Sequence, residues 1–124
     1  VLRLVPGMRA DIIPLLAPHY RALVLESFGV GGLPGGEHGE MFAALRRWCE
    51  SGRLAVFTTQ VPHEGCDLAV YEVGRAVGEL PGVLEARDMT PEAVAVKLMW
   101  ALGQTEDREK AARLFETPIE YDIM

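Results

Sequence analysis

Ala22-Leu23-Val24-Leu25-Glu26-Ser27, running into Phe28-Gly29-Val30-Gly31-Gly32, decides the architecture of this chain. Four apolar residues in succession, with no polar alternation, read as a strand covered on both faces, which is the mark of a parallel sheet. The glycine-dense stretch after it, through Gly35, Gly36 and Gly39, reads as a loop inside one domain. An amphipathic helix is predicted from about Glu40. Met41, Leu45, Trp48 and Cys49 recur at helical spacing, while Glu40, Arg46, Arg47 and Glu50 face elsewhere, and Gly52 ends the run. Leu54-Ala55-Val56-Phe57 repeats the buried-strand pattern, with Thr58-Thr59-Gln60 as its polar carboxyl end. Upstream, Val1 to Val5 reads as a strand stopped by Pro6-Gly7. Asp11 is expected to cap a short helix carrying Ile12, Ile13, Leu15 and Leu16, with Pro14 in its first turn and Pro18 closing it.

Beyond the third strand, the loop Pro62 to Cys66 leads into a helix carrying Leu68, Tyr71 and Val77, and Val83-Leu84 follows Pro81-Gly82 as a short strand. Thr90 caps the next helix, with Pro91 in its favoured first position and Glu92 complementing the dipole. Val94, Val96, Leu98, Met99, Trp100 and Leu102 surround that helix, which predicts full burial up to Gly103. Lys97 stands out there and is expected to snorkel to the surface or pair with a carboxylate. Glu106 to Glu116 reads as a final amphipathic helix with Ala111, Leu114 and Phe115 inward. The tail from Ile119 to Met124 has no period. This alternation predicts an α/β fold of three layers: about four parallel strands with helices on both faces, Rossmann-like and without a dinucleotide site.

The chain of 124 residues is the size of one domain, and 49% apolar with 24% charged residues is an ordinary globular balance. No apolar run approaches the roughly 18 residues of a membrane span. The net charge of −6 argues against nucleic acid and against anionic membranes, because both require clustered Lys and Arg. Cys49 and Cys66 are too few for a disulfide scaffold and read as free thiols in a reducing cytoplasm. Val1-Leu2-Arg3-Leu4-Val5 enters a strand directly, without an initiator Met, so a fragment cut at a domain boundary is expected.

In open α/β sheets ligands bind outside the carboxyl ends of the strands. Ser27 to Gly32, Thr58 to Gln60 and Ala86 to Asp88 meet at such ends. Glycines 29, 31 and 32 let a ligand or another chain approach the backbone, and Thr59 and Gln60 offer a hydroxyl and an amide suited to a small amino acid. The plainer reading is a turn with its backbone satisfied by Thr58 and Thr59. Gly29-Val30-Gly31 is no dinucleotide fingerprint, since Pro34 stands where the third glycine would fall. His63 and Cys66 lack the companions a zinc site or an activated thiol needs. Ser27 and Ser51, the only serines, have no nucleophile-elbow setting, so no catalytic constellation is complete.

Taken together, Ser27-Phe28-Gly29-Val30-Gly31, Thr58-Thr59-Gln60, Tyr71-Glu72-Val73-Gly74-Arg75, Ala86-Arg87-Asp88-Met89-Thr90-Pro91-Glu92-Ala93 and Lys97-Leu98-Met99-Trp100-Ala101-Leu102-Gly103 resemble the C-terminal domain of a bacterial type I L-asparaginase. The resemblance covers residues 22 to 117. It implies that residues 1–124 form the C-terminal domain of a two-domain, cytoplasmic parent that hydrolyses L-asparagine to L-aspartate and ammonia through an acyl-threonine intermediate. The Thr-Gly-Gly-Thr and His-Gly-Thr-Asp motifs of that family are absent here, so the nucleophiles belong to an N-terminal domain and this chain alone is expected to be inactive. No cofactor or metal is implied. The partners implied are that N-terminal domain, further copies in a dimer or dimer of dimers, and asparagine or aspartate. Ser27, Gly29, Gly31, Thr59 and Gln60 match the family at positions touching a ligand or a neighbouring active site. Where some members bind asparagine as an effector, this chain has Glu26, Gly32 and Val61, and Glu26 would repel a ligand carboxylate that an arginine would clamp. Two other readings stand beside this one: an amino-acid-binding regulatory module, and an ammonia-releasing subunit related to those of archaeal tRNA amidotransferases.

Overall fold

The computed structural model describes residues 1–27, 33–35, 39–59 and 72–119, residues 59 and 72–74 by backbone alone. Four parallel strands form one sheet in the order β1 (Leu2–Arg3), β2 (Ala22–Ser27), β3 (Leu54–Thr59) and β4 (Val83–Glu85). The helices are α1 (Ile12–Leu16), α2 (Glu40–Glu50), α3 (Glu72–Gly78), α4 (Pro91–Gln104) and α5 (Arg108–Glu116). This is the expected three-layer α/β arrangement.

The strand order dictates which helices cover which face. When successive parallel strands are neighbours and every crossover is right-handed, all connecting helices fall on the same side of the sheet. Accordingly, Ile13 of α1, Leu45 and Trp48 of α2 and Val77 of α3 pack with Leu23, Leu25, Ala55 and Phe57 in one core. The two helices after the last strand cover the opposite face. There Val94, Leu98 and Ala101 of α4 and Ala111 and Phe115 of α5 pack with Val24, Leu54, Val56 and Leu84. The register pairs Leu23 with Ala55, Val24 with Val56 and Leu25 with Phe57, so alternate residues of the two central strands feed alternate cores. That two-sided demand is why β2 and β3 carry unbroken apolar runs.

Local chemistry explains most boundaries. Thr90 accepts from the Ala93 N–H at 3.2 Å, and Pro91 opens α4 as its composition predicts. Asp107 accepts from the Glu109 and Lys110 N–H groups at 2.9 and 3.2 Å, starting α5 two residues later than its charge pattern suggests. Gly52 ends α2 at φ +93°. Gly82 precedes β4 at φ +82°, and a Cβ there would lie 2.8 Å from the Arg53 carbonyl oxygen, so only glycine fits the approach of β3 to this turn.

Two expectations are corrected. Asp11 precedes α1 but its side chain makes no cap: its backbone is already helical, and its carboxylate accepts from the Arg9 guanidinium at 2.8 Å. The α4 helix is not buried all round. Val96, Met99 and Trp100 are 68%, 72% and 42% exposed, because one sheet face contacts one side of a helix and α5 covers only part of the rest.

Candidate functional site

The carboxyl ends of β2, β3 and β4 lie side by side. Glu26 pairs in register with Thr58, Ser27 with Thr59 and Phe57 with Glu85. The Ser27 hydroxyl donates to the Thr58 carbonyl oxygen at 3.0 Å, and both residues are buried. Ser27 thus ties two strand ends together, and within this chain its hydroxyl is covered. One register position away, Glu26 receives the Arg3 guanidinium from the edge strand at 3.4 Å, so the carboxylate at this strand end is ion-paired. The Ala86 N–H donates to Phe57 at 2.8 Å, and the next three residues turn tightly, Met89 N–H reaching the Ala86 carbonyl at 3.1 Å. Arg87 takes φ +55° in that turn, the one non-glycine residue with positive φ among those described.

Of the candidate contact residues, then, Ser27 and the backbone of Thr59 are brought together at adjacent strand ends. Gly29, Gly31 and Gln60 lie outside the described residues, as do Gly32, Val61, His63, Cys66, Leu68 and Tyr71. The strand order 1-2-3-4 has no reversal, and a reversal is what opens a crevice between strand ends in doubly wound sheets. A ligand at this edge therefore has to be enclosed by the loops or by another polypeptide. No group of three or more His, Cys, Asp or Glu side chains suited to a metal occurs among the described residues.

A polar cleft of about 280 Å³ lies at the opposite, amino-terminal end of the sheet, lined in part by Arg21, Arg53 and Arg108. Sequence reasoning gave these arginines no role. Each is engaged at the carboxyl end of a helix. Arg53 donates from Nε and Nη2 to the Ala17 carbonyl at 3.1 and 2.8 Å, beyond α1. Arg108 donates to the Cys49 carbonyl at 2.7 Å in the last turn of α2, and Arg21 to Leu102 and Thr105 at 2.9 and 2.8 Å at the end of α4. Each helix end carries roughly half a negative charge. Three such ends and the Glu106 carboxylate offset most of three guanidinium charges, which makes this a junction of capped helices and a poor anion trap.

Two other buried polar groups carry no chemistry of their own. Lys97 is buried on α4 and does not snorkel to the surface. Its ammonium donates to the Thr117 carbonyl at 2.7 Å and lies 5.8 Å from the Phe115 ring centroid. Burial pushes the Cys49 thiol up to about 11, with Glu50 adding to the rise and Arg108 opposing it, so the group is protonated and inert near neutral pH.

Among the described residues the chain is an α/β domain that presents strand ends and completes no catalytic set. It belongs to the glutaminase/asparaginase C-terminal domain family, whose model matches residues 1–115. Over 122 residues, 98% of this chain and 36% of the relative, it is 38% identical to an L-asparaginase of Thermococcus kodakarensis. It is 36% identical over 118 residues to a glutamyl-tRNA(Gln) amidotransferase subunit from Metallosphaera sedula, covering 94% of this chain and 26% of that one. The solved thermostable L-asparaginase of Thermococcus kodakarensis superposes with a TM-score of 0.89 over 99% of this chain and 37% of that one, at 38% identity. L-asparaginase I of Vibrio cholerae superposes with a TM-score of 0.85 at 27% identity, over 99% and 36%. The chain thus spans about a quarter to a third of the length of these relatives. Their sources, Thermococcus and Metallosphaera beside Vibrio, support the family and not its bacterial branch in particular.

Proposed function

We propose that residues 1–124 are the C-terminal domain of a two-domain L-asparaginase that converts L-asparagine and water to L-aspartate and ammonia. The supporting observation is the match over 98% of this chain to about the share of an L-asparaginase that one of two domains would occupy. In this reading the nucleophilic threonines sit in a preceding N-terminal domain, and this domain contributes support, oligomer surface and the β2 and β3 ends beside an active site. Ser27 holds those ends in register, while Gly29, Gly31, Thr59 and Gln60 approach the bound amino acid. The parent is a cytoplasmic homo-oligomer, a dimer or a dimer of dimers, free of cofactor. The absence, among described residues, of any helix long and apolar enough to cross a membrane is compatible with that placement.

The test is ammonia release from L-asparagine. The chain alone is expected to release none above buffer, and the same chain joined to its preceding segment is expected to turn over. Full activity in the isolated chain would sink the proposal, and so would its absence in the joined protein.

A second reading is favoured by the likeness to the glutamyl-tRNA(Gln) amidotransferase relative. There the parent frees ammonia for a partner that modifies charged tRNA. Free L-asparagine hydrolysis that is rapid without any other protein supports the first reading. Hydrolysis that requires a partner protein and glutamyl-tRNA supports the second.

A further inference from the structure

We infer that Arg87 sets substrate specificity, its guanidinium holding the α-carboxylate of the amino acid bound at the strand ends. This rests on the L-asparaginase reading above. Arg87 takes φ +55°, whereas the other described positive-φ positions are all glycine: Gly7, Gly35, Gly52 and Gly82. Such backbone is strained for a residue with a β-carbon and unstrained for glycine. The turn is fixed at both ends. The Ala86 N–H donates to the Phe57 carbonyl at 2.8 Å, the Met89 N–H donates to the Ala86 carbonyl at 3.1 Å, and Ala86 and Met89 are buried. Arg87 itself is exposed, so core packing does not account for a side chain at this position. Strain held in place by its surroundings, at a residue the core does not need, points to a use for that side chain.

The charges at this edge indicate what the side chain meets. Arg3 and Arg9 also lie where the chain leaves the carboxyl end of a strand, but Arg3 is held by Glu26 at 3.4 Å and Arg9 by Asp11 at 2.8 Å. The Arg87 guanidinium has no hydrogen bond or ion pair among the described residues. The Ala86 contact sets the end of β4 beside Phe57, the residue before Thr58, and neighbouring strands lie about 4.8 Å apart. An arginine at 87 therefore has the length to cross the end of β3, where Thr58 and Thr59 pair with Glu26 and Ser27. Glu26 is already neutralised by Arg3, so it does not compete for the Arg87 guanidinium. Two parallel N–H donors fit arginine to a carboxylate in a way that the point charge of lysine does not match. The α-carboxylate is common to L-asparagine and L-aspartate, so one contact serves both substrate and product.

Steady-state kinetics of the chain joined to its preceding segment test this, with L-asparagine as substrate and its α-amide, which lacks the carboxylate, as competitor. Arg87→Gly and Arg87→Ala are each expected to lower kcat/KM for L-asparagine about 10- to 100-fold, chiefly through KM. Arg87→Lys is expected to lower it less. The inhibition constant of the α-amide is expected to stay within about twofold of wild type in all three, because that ligand has no group for the guanidinium to hold. Arg87→Gly is also expected to keep or raise the melting temperature, since the strain leaves with the β-carbon. Three results would each overturn the inference and leave the L-asparaginase reading in place. They are a clearly lower melting temperature in Arg87→Gly, a kcat/KM for L-asparagine within about twofold of wild type in Arg87→Gly and Arg87→Ala, and an equal weakening of L-asparagine and its α-amide. If the joined wild type does not hydrolyse L-asparagine, both fall.

Discussion

The Cys49 thiol is a buried group whose titration bears on stability. Its position on the buried face of α2 favours the neutral form, so the folded state holds the proton more tightly than the unfolded chain does. The stabilisation is fully present below a pH near 9 and is lost as pH rises from there through about 11. Cys49→Ala removes that dependence. Its stability, measured by urea denaturation between pH 8 and 11, is expected to fall less steeply than wild type by about 1–3 kcal/mol across the interval. Identical slopes would show that the thiol is not the titrating group. Asp107 has the opposite sign. Backbone N–H donation from Lys110, opposed in part by desolvation and joined by donation from Glu109, lowers its carboxyl below the ordinary value. Its contribution is present above the ordinary carboxylate range and is lost as pH falls through the depressed value. Asp107→Asn should keep the cap at neutral pH and flatten this part of the acid limb, whereas Asp107→Ala should lower the melting temperature at neutral pH as well.

At the scale of elements, the amino-terminal end of the sheet depends on long-range arginine contacts. Arg53 joins the end of α1 to the segment between α2 and β3, donates from Nη1 to the Ser51 hydroxyl at 2.7 Å, and lies 5.4 Å from the Trp48 ring centroid. Arg53→Met keeps the aliphatic stem and strands the Ala17 carbonyl. The expected loss is about 1.5–3 kcal/mol in chemical denaturation, with hydrogen exchange speeding first at the α1 to β2 connection. A loss under about half a kcal/mol would mean that water replaces the guanidinium freely. The same contacts mark where sequence reading stops. The apolar runs of β2 and β3 and the Thr90-Pro91 start of α4 are legible because each is a local pattern with a local cause. Contacts between Arg53 and Ala17, Arg21 and Leu102, or Lys97 and Thr117 join residues whose neighbours in sequence say nothing about one another. Composition overstates the burial of α4 for a related reason. An apolar surface gives a helix its affinity for cover, while the amount of cover depends on how many elements reach it. Of the candidate site, the pairing of Ser27 with Thr59 follows from aligning two strand ends. The Ser27 bond to Thr58 needs the register.

For the molecule as a whole, the strand order makes the two cores a single structure. Helices α1 to α3 hang on one face and α4 and α5 on the other, but both sets pack on alternate residues of the same two strands. Neither core can come apart without disturbing the register that the other requires. Phe57 fills the first core from β3 and Phe115 fills the second from α5, and both are fully buried. Truncating either to alanine should cost about 3–5 kcal/mol, a large part of the roughly 5–15 kcal/mol that holds a domain of this size together. Because the faces are coupled through β2 and β3, both single variants should still unfold in one transition that coincides by near-ultraviolet and far-ultraviolet circular dichroism. The double variant, with two losses on opposite faces of one sheet, should be largely unfolded at about 25 °C. Two separate transitions in Phe115→Ala, with the α1 to α3 face melting later, would show that α4 and α5 form an independent layer and that the shared strands do not transmit the loss.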